Sequence, residues 1–131
     1  MKTHLLYFSV TSNTKRFVAK TGLPSIEITE SNYNFEMEDP FFLLIPTFVP
    51  PPDVVEDVYE FLEIGNNLSQ CKGFIGSGNR NFGDHLFCIT AREMSETFGV
   101  PVIYEYELAG TWADVERVRK LAEEVSSNSE G

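Results

Sequence analysis

Phe8-Ser9-Val10-Thr11-Ser12-Asn13-Thr14 is the stretch on which the fold turns. It follows the apolar run Leu5 to Phe8, which predicts a buried strand, and it precedes Lys15-Arg16-Phe17-Val18-Ala19-Lys20, which predicts the first turns of a helix. A strand that turns directly into a helix leaves backbone N–H groups unpartnered at the sheet's carboxyl edge, with the positive end of the helix dipole behind them. The hydroxyls of Ser9, Thr11, Ser12 and Thr14 add neutral donors at the same place. Such a junction suits a phosphate monoester. A plain N-cap at Thr11 or Ser12 is the competing reading, although a cap needs fewer hydroxyls than this stretch carries.

Outward from that junction, strands and helices nearly alternate. Ser25 to Thr29 alternates polar and apolar residues, as a half-exposed edge strand does, and residues 30–39 lack either periodicity and predict a polar connection. Phe41 to Ile45, bracketed by Pro40 and Pro46, predicts a strand covered on both faces. Thr47-Phe48-Val49-Pro50-Pro51-Pro52 predicts a stiff loop, after which Asp53 and Glu56 cap a helix on which Val54, Val55, Val58, Phe61 and Leu62 keep helical spacing and which Gly65-Asn66-Asn67 ends. Cys71 to Gly76 predicts another buried strand, running into the loop Ser77 to Asp84. Phe87, Ala91, Met94 and Phe98 mark a third helix, closed by Gly99 and Pro101. Val102 to Glu107 predicts a second edge strand. Thr111 and Asp114 are spaced as a capping box before a last helix lined by Val115, Val118, Leu121, Ala122 and Val125, and Ser126 to Gly131 predicts a frayed tail.

Near-alternation implies an α/β fold with a mostly parallel sheet and helices on both faces. Placing the apolar strands centrally and the alternating ones at the edges, with right-handed crossovers, favours the doubly wound five-stranded order 2-1-3-4-5. In that order a cleft opens above the carboxyl ends of the first and third strands, walled by the loops Ser9 to Thr14, Thr47 to Pro52 and Ser77 to Asp84. The whole chain of 131 residues fits a single domain.

The charge is −10, and between Lys20 and Lys72 there is no Lys or Arg, whereas Glu27, Glu30, Glu36, Glu38, Asp39, Asp53, Glu56, Asp57, Glu60 and Glu63 all lie there. A field of that sign argues against nucleic-acid and membrane partners, and either steers a basic protein or only keeps the surface solvated. The absence of a signal-like start or a long apolar run predicts a cytoplasmic protein. Cys71 and Cys88 form no metal-binding or redox pair by spacing, and no metal ligands or catalytic side chains are predicted.

With these loops the chain resembles the flavodoxin-like proteins. The segments Gly78-Asn79-Arg80-Asn81-Phe82-Gly83 and Glu107-Leu108-Ala109-Gly110-Thr111 narrow the resemblance to the NrdI family, small flavodoxin-like partners of class Ib ribonucleotide reductases. That resemblance implies FMN held noncovalently and cycled between oxidised and reduced forms. It further implies a role in assembling the dimanganese-tyrosyl radical cofactor of the reductase small subunit, by delivering a reduced-oxygen oxidant or electrons, with an unidentified flavin reductant upstream. By motif matching, Ser9, Thr11, Ser12, Asn13 and Thr14 would hold the phosphate, while Thr47, Phe48, Asn79, Asn81, Phe82 and Gly83 would border the ring. Phe48 and Phe82 are the aromatics suited to stack on it. Where related proteins commonly carry glycines in the second loop, this chain has Val49-Pro50-Pro51-Pro52, which stiffens the peptides beside the ring. An ordinary electron-transfer flavodoxin and a phosphate-binding module without flavin share the fold. The third loop favours the reductase-linked family over the first, and Tyr7-Phe8-Ser9 at the end of the first strand, where a receiver-type module needs acidic residues, argues against the second.

Overall fold

Every residue of Phe41-Phe42-Leu43-Leu44-Ile45-Pro46 is buried, which a strand achieves only at the centre of a sheet covered on both faces. In the computed structural model, which describes residues 2–8, 12–47, 54–83 and 85–130, this segment is β3 of a five-stranded sheet ordered β2-β1-β3-β4-β5. All its pairings are parallel. The elements run β1 (His4–Tyr7), α1 (Ser12–Thr21), β2 (Ser25–Glu27), β3 (Phe41–Pro46), α2 (Val54–Glu63), α3 (Asn67–Gln70), β4 (Cys71–Gly78), a 3-10 turn (Arg80–Phe82), α4 (Ile89–Phe98), β5 (Val102–Glu107) and α5 (Trp112–Glu130). The expected strand order and the two edge strands are as the hydrophobic pattern requires.

Period-two alternation in the strands sends side chains to two cores. Leu6, Phe8, Leu43, Ile45 and Phe74 meet Val55, Val58, Phe61 and Leu62 of α2 and Ala91 and Met94 of α4 on one face. On the other, Leu5, Phe42, Leu44, Ile75 and Tyr106 meet Phe17 and Val18 of α1 and Val115, Val118 and Ala122 of α5. Among the described residues no helix is long and apolar enough to cross a membrane.

The β2-to-β3 connection has no helix, so its own side chains must cover the sheet there. Met37 is buried, and Tyr33 and Phe35 pack against the α2-side core. Asn67 holds this segment. Its side chain is fully buried, accepts the Met37 amide at 2.7 Å, and donates to the carbonyls of Phe35 at 2.8 Å and Phe61 at 2.9 Å. Read from sequence as the end of the preceding helix, Asn67 instead opens the short helix α3. The chain's end also differs from expectation. α5 continues to Glu130, and its Ser126 hydroxyl accepts the Thr3 amide at 3.0 Å while the Thr3 hydroxyl donates to Ala122 O at 2.9 Å. A long-range bond to β1's leading residue orders a segment that composition alone predicts to fray.

Replacing Asn67 by Ala strands a buried amide and two carbonyls, and should cost about 2–4 kcal/mol of folding stability. Denaturant titration should show a lower midpoint at unchanged slope. Ser69→Ala, which removes an exposed hydrogen bond of the same helix, should cost less than about 0.5 kcal/mol.

Candidate functional site at the carboxyl edge of the sheet

β1 pairs with β2 on one side and β3 on the other, and the helices that follow β1 and β3 pack on opposite faces. This topology opens a crevice above the carboxyl ends of those two strands.

On its first side stands the start of α1. The amides of Ser12, Asn13 and Thr14 belong to the helix's first turn and have no intrahelical acceptor. Ser12 is exposed and Asn13 half-buried, whereas Thr14 is buried on the inward face with Phe17, Val18 and Thr21. No acidic side chain occupies this turn. The nearby cation Lys15 lies 3.7 Å from a carboxylate oxygen of Glu27, so the attraction for an anion comes chiefly from neutral donors. Ser9 and Thr11, expected at the same anion site, lie outside the described residues, as does Phe48.

After β3, Thr47 is half-buried and its hydroxyl donates to Ser77 O at 2.6 Å, which ties the residue after β3 to β4. A Cβ on Gly78 would stand 3.0 Å from the Cys88 amide nitrogen and 3.2 Å from both Phe87 Cδ1 and Thr47 Oγ1. Only glycine lets these segments approach so closely. Ser77 and Gly78 belong to β4 itself, so the third loop starts at Asn79 and not at Ser77.

That loop is held by its own polar groups. Asn79 Oδ1 accepts the Asn81 amide at 2.9 Å, and the Gly83 amide donates to Arg80 O at 3.1 Å, closing the 3-10 turn. The Asn79 oxygen is therefore committed to its own turn, and its amide group is the part left to face a ligand. Asn81 is exposed, and Gly83 adopts φ +100°, a value that L side chains rarely take. The backbone of Phe82 lies in the turn; its side chain is outside the described set. His85 is exposed and borders Gly83, with its Cε1 3.2 Å from where a Gly83 Cβ would be.

The segment after β5 clamps the third loop from outside. Glu107 Oε2 accepts the Arg80 amide at 2.9 Å, and the Leu108 amide donates to Gly78 O at 2.9 Å. The Arg80 guanidinium sits 4.0 Å over the Phe87 ring. Gly110, at φ +73°, lies where a Cβ would be 2.6 Å from Phe17 Cδ1. Thr111 and Asp114 form the expected capping box: the Thr111 amide donates to Asp114 Oδ2 at 2.8 Å and the Asp114 amide to Thr111 Oγ1 at 3.2 Å. The Tyr104 hydroxyl closes the cluster, donating to Asp114 Oδ1 at 2.5 Å.

Ser12, Asn13, Thr14, Thr47, Asn79, Asn81 and Gly83 thus all fall at the carboxyl edge. Glu107, Leu108 and Gly110 shape the same edge but were not among the residues expected to form the site. Their signal was present in the Glu107-Leu108-Ala109-Gly110-Thr111 run, whose contact with the third loop only the β4–β5 pairing reveals.

A five-stranded parallel sheet in this order, with a helix start and a 3-10 turn at its carboxyl edge, is the flavodoxin-like arrangement. Residues 5–120 match the family model described as NrdI flavodoxin-like, and the chain belongs to that family. It is 38% identical over 123 residues to Protein NrdI of Streptococcus pyogenes serotype M4 (strain MGAS10750), covering 89% of this chain and 85% of the relative. The same identity holds for Protein NrdI of serotype M5 (strain Manfredo), with 75% of that relative covered. Among solved structures, a short-chain flavodoxin associated with a PDU bacterial microcompartment is similar at TM-score 0.69 and 18% identity, covering 96% of this chain and 97% of that one. Oxidised flavodoxin 2 of Bacillus cereus is similar at TM-score 0.60 and 18% identity, with 96% and 99% covered. These two likenesses concern the fold.

Burial works to raise the Asp114 carboxyl pKa, but the hydrogen bonds from Tyr104 and Thr111 outweigh it and hold the group below its ordinary value. A carboxyl depressed in the folded state contributes stability that is present above its unfolded pKa, about 3.9, and lost as pH falls through the folded value. Asp114→Asn should therefore lower stability at neutral pH and flatten the acid limb of the stability curve. Denaturant titrations between neutral pH and about pH 2 measure both effects.

Proposed function

We propose that the chain binds one FMN in this cleft and acts as the redox partner of a class Ib ribonucleotide reductase small subunit. In that role it would support assembly of the subunit's dimanganese-tyrosyl radical cofactor by delivering a reduced-oxygen oxidant or electrons. The observation that carries the reading is the third loop, folded into a 3-10 turn and clamped to Glu107 and Leu108, on the residues by which the chain resembles the NrdI family. Relatives bearing the name Protein NrdI add to it.

The donor set suits the proposed cofactor. Ser9, Thr11, Ser12, Asn13 and Thr14 would hold the phosphate through first-turn amides and hydroxyls, without a dedicated cation. Thr47, Phe48, Asn79, Asn81, Phe82 and Gly83 would border the ring, with Gly78 and Gly83 leaving the backbone close to it. The flavin supplies the redox chemistry when bound. The residues supply position: Glu107 holds the third loop through the Arg80 amide, and Thr47, tied to Ser77 O, holds the end of β3 against β4.

The outer face of α2 carries Glu56, Asp57, Glu60 and Glu63, and it fits a basic surface on the partner better than nucleic acid or an anionic membrane. Upstream would stand an unidentified flavin reductant.

Titration of apoprotein should give FMN binding at least about tenfold tighter than riboflavin, because charge-assisted hydrogen bonds to the phosphate are worth roughly 1.5–3 kcal/mol. Equal affinities would remove the anion role of residues 9–14. Pull-down and stopped-flow association with the reductase small subunit test the rest. Capture is expected, with an association rate that falls as salt rises, since screening acts over about 8 Å at physiological ionic strength. A flavin-loaded chain that ignores the small subunit would instead be an ordinary electron-transfer flavodoxin.

A further inference from the structure

Tyr106 lies beneath the cleft, on β5, and is 3% exposed. Its ring is held on several sides. Phe17 of α1 stacks on it at 4.0 Å between centroids and 12° between planes, and Gly110 stands where a Cβ would be 3.2 Å from Tyr106 Cδ2. Its hydroxyl is the single buried side-chain polar atom without a hydrogen-bond partner among the described residues. Burial pushes the phenol's pKa far up, and the neighbouring Ser77 hydroxyl pulls it down without reaching hydrogen-bond geometry. An orphaned buried hydroxyl is costly, so a partner beyond the described residues would relieve it.

The surroundings say where that partner sits. Ser77 is opposite Tyr106 in the β4–β5 register and is itself buried. Thr14 is buried on the inward face of α1, one turn before Phe17 and thus on the cleft side of the stacked pair. Ser77 and Tyr106 are thus neighbours on β4 and β5, and Thr14 stands one turn before the Phe17 ring that stacks on Tyr106.

We propose that Tyr106 is a positioning residue for the anion end of the cleft: when an anion occupies the first turn of α1, the Tyr106, Ser77 and Thr14 hydroxyls together hold one buried water that braces the turn from below. Three polar partners are what a buried water ordinarily requires. The bridge gives Tyr106 its missing bond and links the helix that meets the anion to the ends of β4 and β5. This rests on the FMN reading above and adds to it a residue outside the expected contact set.

The test is Tyr106→Phe, which removes only the hydroxyl, measured with FMN and riboflavin as separate probes. FMN affinity should fall about fivefold or more, as expected for losing a bridged hydrogen bond, with riboflavin affinity unchanged within about twofold. The apoprotein's thermal midpoint should stay level or rise, because an unpartnered hydroxyl is no longer buried. Ser77→Ala should give the same selective loss, and the double variant should lose little more than either single one, since both act through one water. Unchanged FMN affinity, an equal loss for both flavins, a destabilised apoprotein, or fully additive losses would each overturn the proposal. A wild-type chain that binds neither flavin overturns the FMN reading itself, an outcome visible before any variant is made.

Discussion

β1 is paired on both sides before the chain has used half its length: β2 lies against one edge and β3 against the other. That pairing is the constraint from which the site follows. Right-handed crossovers then force α1 and α2 to opposite faces, and no connection can cover the carboxyl ends of β1 and β3. A crevice lined by loops is the unavoidable result. Among the described residues the rim carries hydroxyls, amides and glycines, and the bulky apolar residues lie one layer down, where Phe8, Phe17, Phe41, Phe42, Phe61 and Phe74 are all essentially inaccessible. Rigidity below and polarity above are thus separate consequences of one strand order.

What could be read in advance was whatever local pattern determines. The buried run at β3, the edge placement of β2 and β5, and the Thr111–Asp114 capping box are encoded within a few residues, and each appears as expected. What escaped depends on partners far away in sequence. Asn67 looks like a helix terminator until Phe35 and Met37, some thirty positions earlier, are brought against it. Ser126 looks like the start of a frayed tail until Thr3 is placed beside it. Glu107 looks like an ordinary edge-strand carboxylate until the 3-10 turn presents the Arg80 amide. At the site itself, helix starts and glycine-rich turns were legible because their chemistry is local, whereas the clamp between the third loop and the β5–α5 segment was not.

The thiols bear on where redox chemistry can reside. Cys71 and Cys88 are both free and buried. Burial, the dominant cause in each case, pushes both thiols up to about 12, with Glu105 adding to the rise at Cys88 and hydrogen bonding only partly opposing it at Cys71. Thiolate is the reactive form, so neither side chain is poised for exchange or oxidation at neutral pH. Cys88 instead contributes shape: it takes φ 56° just before α4 and packs where a Cβ on Gly76 would come within 3.0 Å of its own. A redox role for the chain accordingly depends on a bound group and not on its cysteines.

A chain of net charge −10 that is to hold a phosphate, as proposed, must solve an electrostatic conflict. The resolution is one of distance. The acidic side chains of α2 and the β2–β3 connection lie in solvent, where their field is screened over about 8 Å. The amides of Ser12, Asn13 and Thr14 would act at hydrogen-bond range with the helix dipole aligned behind them. Lys15 is already engaged with Glu27, so the first turn gains no unbalanced cation that would also attract other anions. Short-range dipoles would then select for a phosphate placed accurately in the turn, while the longer-range negative field would remain free to favour a basic protein surface. Neither function has to be weakened to accommodate the other, because the two interactions decay over different lengths.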